Sequence, residues 1–443
     1  MHRGPICAWL VRKLSVAQRG NSLHAYVASV SSSTEDAPPF RGGCCASSSS
    51  LSSSSRPSLS SLALTYRLCY SVFVQTLRRM ASQSHLGSAD NVNIPYSTPS
   101  TPHPQHQVGW IGLGNMGIKM AANLAKHMRE MSPPLPPLLV YNRTVSKAQA
   151  LEKELDGLVK AVDSVEAIGT RCDLIFTSLS DDDAAEQIYE ALLQAEEKRV
   201  GKHAQERISS GFSTLLIDTS TLYPATTGKL ERKISALPKR HFVAAPAFGP
   251  PPMAATAKLV FAVAGPYNSK KFASQFLVPA MGRKIMDFGS NPERAASFKL
   301  IGNSIIVSTI EMLSETMTLA EKTGVGSDRV YEWLEEFYPA PSALGYGKKI
   351  LDSNFQGENG FTLNGGIKDA SHIIKLGESV DCPLPIIELA RQHMVSARAI
   401  GGANLDWSSL SAGFRVTAGV EPFEKKEMLK KWAKTEKDGG SSS

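Results

Sequence analysis

Val108-Gly-Trp-Ile-Gly-Leu-Gly-Asn-Met-Gly117 reads as an apolar strand running into a glycine turn, and Ile118 to Met128 continue it as a helix. The three glycines have separate jobs. Gly112 permits the tight turn, Gly114 lets backbone approach a pyrophosphate, and Gly117 lets the helix pack close to the strand. The helix start adds free N–H groups and the positive end of its dipole. With 34 glycines in the chain the spacing alone is weak, but the strand before it and the helix after it make it specific. Gly112, Leu113, Gly114, Asn115, Met116 and Gly117 are therefore expected to line a dinucleotide site. The second strand, Leu138–Tyr141, ends in Asn142-Arg143-Thr144. An acidic residue there would suit the ribose 2′-hydroxyl of NAD. An arginine with amide and hydroxyl neighbours suits a 2′-phosphate instead, which favours NADP(H) with NAD(H) as the alternative. Arg143 also fits an ordinary solvated loop cation.

The net charge of +7 on 443 residues is unevenly placed. Residues 1–105 carry nine Lys/Arg against Glu35, Asp36 and Asp90, a net +6, which leaves +1 for the rest. A nearly neutral body has no electrostatic footprint for nucleic acid. No apolar run approaches the roughly 20 residues of a membrane span. Cys172 and Cys382 lie far apart in the body, and the histidines have no ligand-spaced partners, so neither a disulfide framework nor a metal site is expected. Serine tracts and Pro-rich Thr98–Pro104 make residues 1–105 a leader unable to bury enough apolar surface to fold. Its first 34 residues carry Arg and Lys but no acid, as in a mitochondrial transit peptide. If translation starts instead at Met80, the protein is cytosolic.

From 108 to about 290, short apolar strands alternate with helices, the pattern of a parallel sheet with crossovers. The strands are read at 108–111, 138–141, 173–178, 214–218, 242–245, 260–264 and 284–287. After Pro292 the pattern turns helical, with one long run from Glu293 to Thr323 stopped by Gly324. The expected fold is α/β: an N-terminal Rossmann-type doubly wound parallel sheet, followed by an all-helical domain built on a long interdomain helix. The expected parts are a leader (1–105), a nucleotide domain (106–291), a helical substrate and oligomerisation domain (292–435) and a tail (436–443).

Four stretches then occur in order: Gly112–Gly117, Asp218-Thr-Ser-Thr-Leu-Tyr-Pro224, Lys299-Leu-Ile-Gly-Asn303 and Lys368-Asp369. Met281-Gly282, Gly402 and Asp406-Trp-Ser-Ser409 accompany them. Over residues 107–415 the chain resembles the β-hydroxyacid dehydrogenase family, which includes 3-hydroxyisobutyrate dehydrogenases and glyoxylate/succinic semialdehyde reductases. The resemblance implies a catalytic role for Lys299, with Asn303 one helical turn away on the same face. Lys299 would exchange a proton with the substrate oxygen as hydride moves, which requires its pKa to be lowered. On spacing alone a solvated helix lysine is the better fit, and the ordered motifs reverse that. The resemblance also implies that Ser220 and Thr221 face the nicotinamide or the substrate, that Leu179-Ser180 edge the cofactor, and that Lys368 approaches it from the helical domain. Ser180 and Thr221 also fit ordinary turn chemistry.

One stretch departs from the family. Its usual D-A-P-V-S-G-G is here Ala244-Ala-Pro-Ala-Phe248-Gly249-Pro250, so Phe248 replaces the serine hydroxyl that, with the glycines, holds a substrate carboxylate. Pro250 replaces a glycine and removes an N–H. Phe248 and Gly249 are still expected at the substrate, with a bulkier or more apolar group beside them. The G-x-G that usually precedes the lysine is also absent. The leading expectation is an NADP(H)-dependent oxidoreductase acting on a small 3-hydroxy acid or aldehyde of the 3-hydroxyisobutyrate kind. The alternatives are an imine reductase-like enzyme with a non-carboxylate substrate, and a catalytically silent NADP-binding module. A sugar-phosphate dehydrogenase is disfavoured, because Gly302 stands where that group places a histidine. The partners expected are a small-molecule substrate and a second copy of the chain, as homodimer or homotetramer.

Overall fold

The computed structural model describes residues 93–102, 106–198, 214–357 and 360–423. The expected transit segment, the serine tracts and the tail from 436 lie outside the described residues. In chain order come β1 (Val108–Ile111), α1 (Gly117–Glu130), β2 (Leu138–Tyr141), α2 (Val145–Glu154), β3 (Val159–Ala161) and α3 (Val165–Arg171). Then follow β4 (Leu174–Thr177), α4 (Asp182–Lys198), β5 (Thr214–Asp218), α5 (Pro224–Ser235) and β6 (Arg240–Ala244). These six strands form one parallel sheet in the order β3-β2-β1-β4-β5-β6. Helices cover both faces, which is why its central strands are apolar throughout rather than alternating. Trp110, Phe176 and Ile217 enter one core with Met120 and Leu124 of α1. Ile111, Ile175 and Leu216 enter the other, with Ile168 of α3, Tyr189 of α4 and Ile234 of α5. Strand order reverses between β1 and β4, and there the strands' carboxyl ends open the crevice in which such sheets bind ligands.

Two details differ from the expectation. β3 was not foreseen; it is three residues long and only Val159 is buried, so it leaves almost no hydrophobic pattern. The strands expected at 260–264 and 284–287 do not extend the parallel sheet. They belong to a separate three-stranded sheet of β7 (Ala247–Phe248), β8 (Leu259–Val263) and β9 (Gly282–Asp287), with β7 antiparallel to β8. The short α6 (Pro251–Ala255) follows β7, and α7 (Tyr267–Leu277) joins β8 to β9. A single bridge between Ala244 and Ala264 links the two sheets.

The long helix is α8 (Pro292–Lys322), begun by Pro292 behind an Asn291 side chain that accepts the Glu293 N–H. By length and mean hydropathy it is apolar enough to cross a bilayer, which the sequence reading did not foresee. Here much of its apolar surface packs other helices: α9 (Ser327–Phe337), α10 (Pro341–Leu351), α11 (Leu363–Glu378), α12 (Pro385–Gly401) and α13 (Leu410–Thr417). Leu300, Val307, Ile310, Leu313 and Met317 anchor their common core. Asp406, fully buried, accepts from Lys349 Nζ (2.8 Å) and the Phe361 N–H (3.0 Å), and so ties α10 to the approach to α11.

The last stretch of the expected leader is packed. Asn93 pairs with β9, donating to Arg283 O and accepting from Ile285 N, both at 3.0 Å. Ile94 and Tyr96 lie against the core beneath that sheet, and Ser100 O accepts from the Gln275 amide. Short apolar anchors among prolines and hydroxyls carry no periodicity, which hid them. Removing residues 1–102 should cost about 1–3 kcal/mol more than removing 1–92, since two partly buried side chains and a strand pairing are lost. Thermal melting of the two truncations checks this, and equal Tm values would contradict it.

Candidate active site

The glycine turn is built as its spacing requires. Gly112 has φ +100°, and a Cβ there would lie 2.2 Å from Ser178 O. A Cβ on Gly117 would lie 2.1 Å from Gly112 O, so that glycine brings helix and strand together. Gly114 is different: an added Cβ meets nothing within 4 Å. Its backbone borders open space at the crevice, the cradle a pyrophosphate needs. The first bond into α1 runs from Ile118 N to Gly114 O (3.1 Å), so the N–H groups of Asn115, Met116 and Gly117 have no intrahelical acceptor. These residues fit a dinucleotide.

Other residues expected at the cofactor also shape the turn. Leu113 is buried in the core, and its N–H donates to Asn142 Oδ1 at 2.9 Å. Asn142 Nδ2 donates onward to Thr144 O (3.0 Å), so Asn142 supports the backbone on both sides of its amide. Arg143 and Thr144 are exposed just past β2. Met116 is half-buried against the core, and Asn115 Nδ2 makes a long contact, 3.4 Å, with Gly357 O across the crevice.

At the end of β5, Asp218 is buried and burial pushes its pKa up, against hydrogen bonds that pull it down. Its Oδ1 accepts from Thr177 Oγ1 and Ser220 Oγ, each at 2.7 Å. Ser220 Oγ in turn accepts from Leu179 N at 2.8 Å. The hydroxyl expected at the substrate is thus committed on both sides and pins the β4 loop to the β5 loop. Ser180 is exposed and donates to Asp181. Gly249 has φ +134° and sits against Leu259 and Met253, a conformational role.

The helical half supplies the titratable groups. Lys299 is 9% exposed, Asn303 7% and Asp369 0%. Lys299 Nζ donates to Asn303 Oδ1 at 3.1 Å, and Asn303 Nδ2 donates to Asp369 Oδ2 at 2.6 Å. Lys368 Nζ lies 3.0 Å from Asp369 Oδ1 and donates to Thr221 O at 2.5 Å. Burial lowers the Lys299 pKa to about 8, with Asp369 opposing that shift and Lys368 adding to it. Its Nζ also stands 4.5 Å from the centre of the Phe248 ring. Lys299, Asn303, Lys368, Thr221 and Phe248 are thereby brought together. Asp369, to which the sequence alone assigns no role, sits at the hub.

His372 was also missed. Its Nε2 lies 3.0 Å from Asp182 Oδ2, and the Tyr223 N–H donates to Asp182 Oδ1 at 3.0 Å. Burial alone would raise the Asp182 pKa, but bonds from His372, Thr226 and the Tyr223 N–H hold it at about 2. Lys375 Nζ stands 4.4 Å over the Tyr223 ring. Lys368, His372 and Lys375 are spaced i, i+4, i+7 on α11, so one stripe clasps the nucleotide half. That spacing was the available signal. Among the described residues, no group of three His, Cys, Asp or Glu is placed to hold a metal ion.

The two inner glycines should behave oppositely on substitution. Gly114→Ala should leave the melting temperature of the cofactor-free protein nearly unchanged and weaken nucleotide binding at least about tenfold, because the new methyl stands where backbone must meet phosphate. Gly117→Ala should cost about 2–3 kcal/mol of stability before any ligand is added, since the methyl is forced onto a carbonyl. Melting curves with and without NADPH separate the two, and matching profiles would contradict the assignment.

A family model described as the NAD binding domain of 6-phosphogluconate dehydrogenase matches residues 107–289. A second, described as the NAD-binding domain of NADP-dependent 3-hydroxyisobutyrate dehydrogenase, matches residues 294–412. The uncharacterized oxidoreductase YfjR of Bacillus subtilis is 29% identical over 304 residues, 69% of this chain and 98% of that protein. The NADH-dependent oxidoreductase ucdB of Aspergillus ustus is 27% identical over 309 residues, covering 70% of this chain and 98% of its own length. The crystal structure of 3-hydroxyisobutyrate dehydrogenase (ygbJ) from Salmonella typhimurium shares the fold, with a TM-score of 0.57 at 17% identity over 69% of this chain and 99% of its own. With its parallel-sheet half, its helical half and the ordered motifs between them, the chain belongs to the β-hydroxyacid dehydrogenase family of NAD(P)-dependent dehydrogenases and reductases.

Proposed function

We propose that this protein is an NADP(H)-dependent oxidoreductase acting on a small aldehyde or 3-hydroxy acid of the 3-hydroxyisobutyrate kind, with Lys299 as general acid and base. The observation that carries the reading is the buried Lys299–Asn303–Asp369 relay, joined through Lys368 to the backbone of the β5 loop. The nicotinamide, when bound, supplies or accepts the hydride. In reduction, Lys299 Nζ gives a proton to the carbonyl oxygen; in oxidation the neutral amine takes it from the alcohol. Asn303 Oδ1 holds one ammonium hydrogen and so aims the other two. Asp369 fixes the Asn303 amide in that orientation and favours the charged lysine, while burial and Lys368 favour the neutral one. A proton that must move both ways is best held by a group titrating near the working pH.

Lys299 needs its proton for reduction, so reductive kcat/KM should be flat at neutral pH and fall as pH rises through about 8. Oxidation needs the free amine and should rise through the same range. Lys299→Ala should lower kcat by about 10²–10⁴-fold with NADPH affinity retained. Paired pH–rate profiles and NADPH titrations check this, and a variant with near-normal turnover would remove the assignment.

Exposed Arg143 and Thr144 at the end of β2 support preference for the 2′-phosphate. A relative named NADH-dependent makes the point worth a direct test. Arg143→Asp should turn the preference from NADPH toward NADH by about tenfold or more; an unchanged ratio would show the arginine to be a bystander. Exposed Ile305 and Leu319 on α8, with Trp333 and Phe337 on α9, support pairing of helical halves between subunits.

A further inference from the structure

We propose that Phe248, with the proline run behind it, closes the substrate pocket to carboxylates and selects an uncharged carbonyl compound whose neighbouring substituent is apolar. The inference rests on the hydride-transfer reading above and narrows its substrate class, keeping the uncharged carbonyl compound and setting aside the free acid. A carboxylate taken out of water must be met by donors, and much of the donor capacity around Lys299 is already engaged. Asn303 Nδ2 donates to Asp369, Lys368 Nζ to Thr221 O, Ser220 Oγ to Asp218 and Thr219 Oγ1 to Thr177 O. Beyond the Gly249 N–H, the turn after β7 offers nothing in exchange. Pro250, Pro251 and Pro252 have no N–H, and the next two, Met253 and Ala254, donate back to Pro250 O.

The ring itself is built in. Phe248 lies edge-on to Phe298 (5.6 Å between centres), which packs on Phe288 at 4.5 Å, a continuous aromatic wall. A Cβ on Gly302 would fall 2.3 Å from Phe248 Cε1, so the helix that carries Lys299 leaves a gap for this ring. Lys299, Gly302 and Asn303 share one face of α8. The ring's electron-rich face attracts the ammonium and repels an anion. A carboxylate entering here would find Lys299 as its one nearby unshared charge among the described residues. Pairing with it would hold the ammonium at the wrong oxygen.

The test compares 3-hydroxyisobutyrate with its methyl ester, the same skeleton with and without the charge. Two readouts are taken on the full chain: calorimetric binding to the NADPH-loaded protein, where no turnover intervenes, and oxidation with NADP+. The ester should be favoured at least about tenfold in both, the scale on which a dry pocket discriminates. Phe248→Ser with Pro250→Gly should move both ratios toward the acid by about tenfold, as a hydroxyl and an N–H return. Gly302→Ala, which displaces the ring without restoring a donor, should weaken the ester and leave the acid no better. An acid that binds and turns over as well as the ester in the unaltered protein would overturn the inference and leave hydride transfer standing. An ester that binds better while neither compound is oxidised would uphold the pocket and overturn the proposed reaction.

Discussion

An ammonium group taken out of water demands compensation, and Lys299 receives it from one amide oxygen, a carboxylate one residue further on and the face of a ring. Each partner comes from a different part of the chain. Asn303 is one turn along α8, Asp369 is on α11, and Phe248 belongs to the small mixed sheet that follows the Rossmann strands. The lysine can stay buried only if the two helices and that sheet close on it together. This is why α8 packs against the nucleotide half at its start and the helical core along its length. A helix of 31 residues is the means of holding a charge at the boundary between two cores.

Closure of the crevice from the other side uses the same economy. On α11, Lys368 reaches the Thr221 carbonyl, His372 reaches Asp182 and Lys375 covers Tyr223, all at the carboxyl end of β5 or the start of α4 and α5. The neighbouring loop is fixed from within by Asp218, whose carboxylate gathers Thr177 and Ser220 and so sets the position of Leu179. The hydroxyls at this strand end therefore act on geometry. They hold two loops at a fixed spacing, and the exposed turn at Gly114 faces the gap they leave.

The nucleotide half was legible because its signals are local and steric. A strand, three glycines at fixed offsets and a helix have one compact arrangement, and Gly112 and Gly117 each prove to be required by a carbonyl within 2.2 Å of the missing Cβ. The long helix was legible from its proline start and glycine stop. What depends on distant partners was not legible. Nothing in the sequence reveals that the Ser220 hydroxyl is bonded to Asp218 and to the Leu179 N–H. Nor does it reveal that the Asn142 amide turns back to the Leu113 N–H. Asp369 stood next to an assigned lysine and still had no role until Asn303, 66 residues away, was seen to point at it. β3 and the anchors Ile94 and Tyr96 are too short for any period to show.

The Lys299 environment also constrains which molecule can react there. Burial pulls its pKa down, while Asp369 and the Phe248 ring both favour the charged form. Such a balance holds only while the pocket stays dry, because water would screen the carboxylate and solvate the amine at once. A substrate bringing its own anion would add a strong attraction on the side of the charged lysine and carry hydration in with it. Under the proposed reaction, a neutral carbonyl compound with an apolar flank leaves the balance intact and presents the lysine with a single acceptor for its proton. In that proposal the aromatic wall and the prolines, which have no N–H, work to the same end as the lowered pKa: they keep the proton mobile by keeping other charges out.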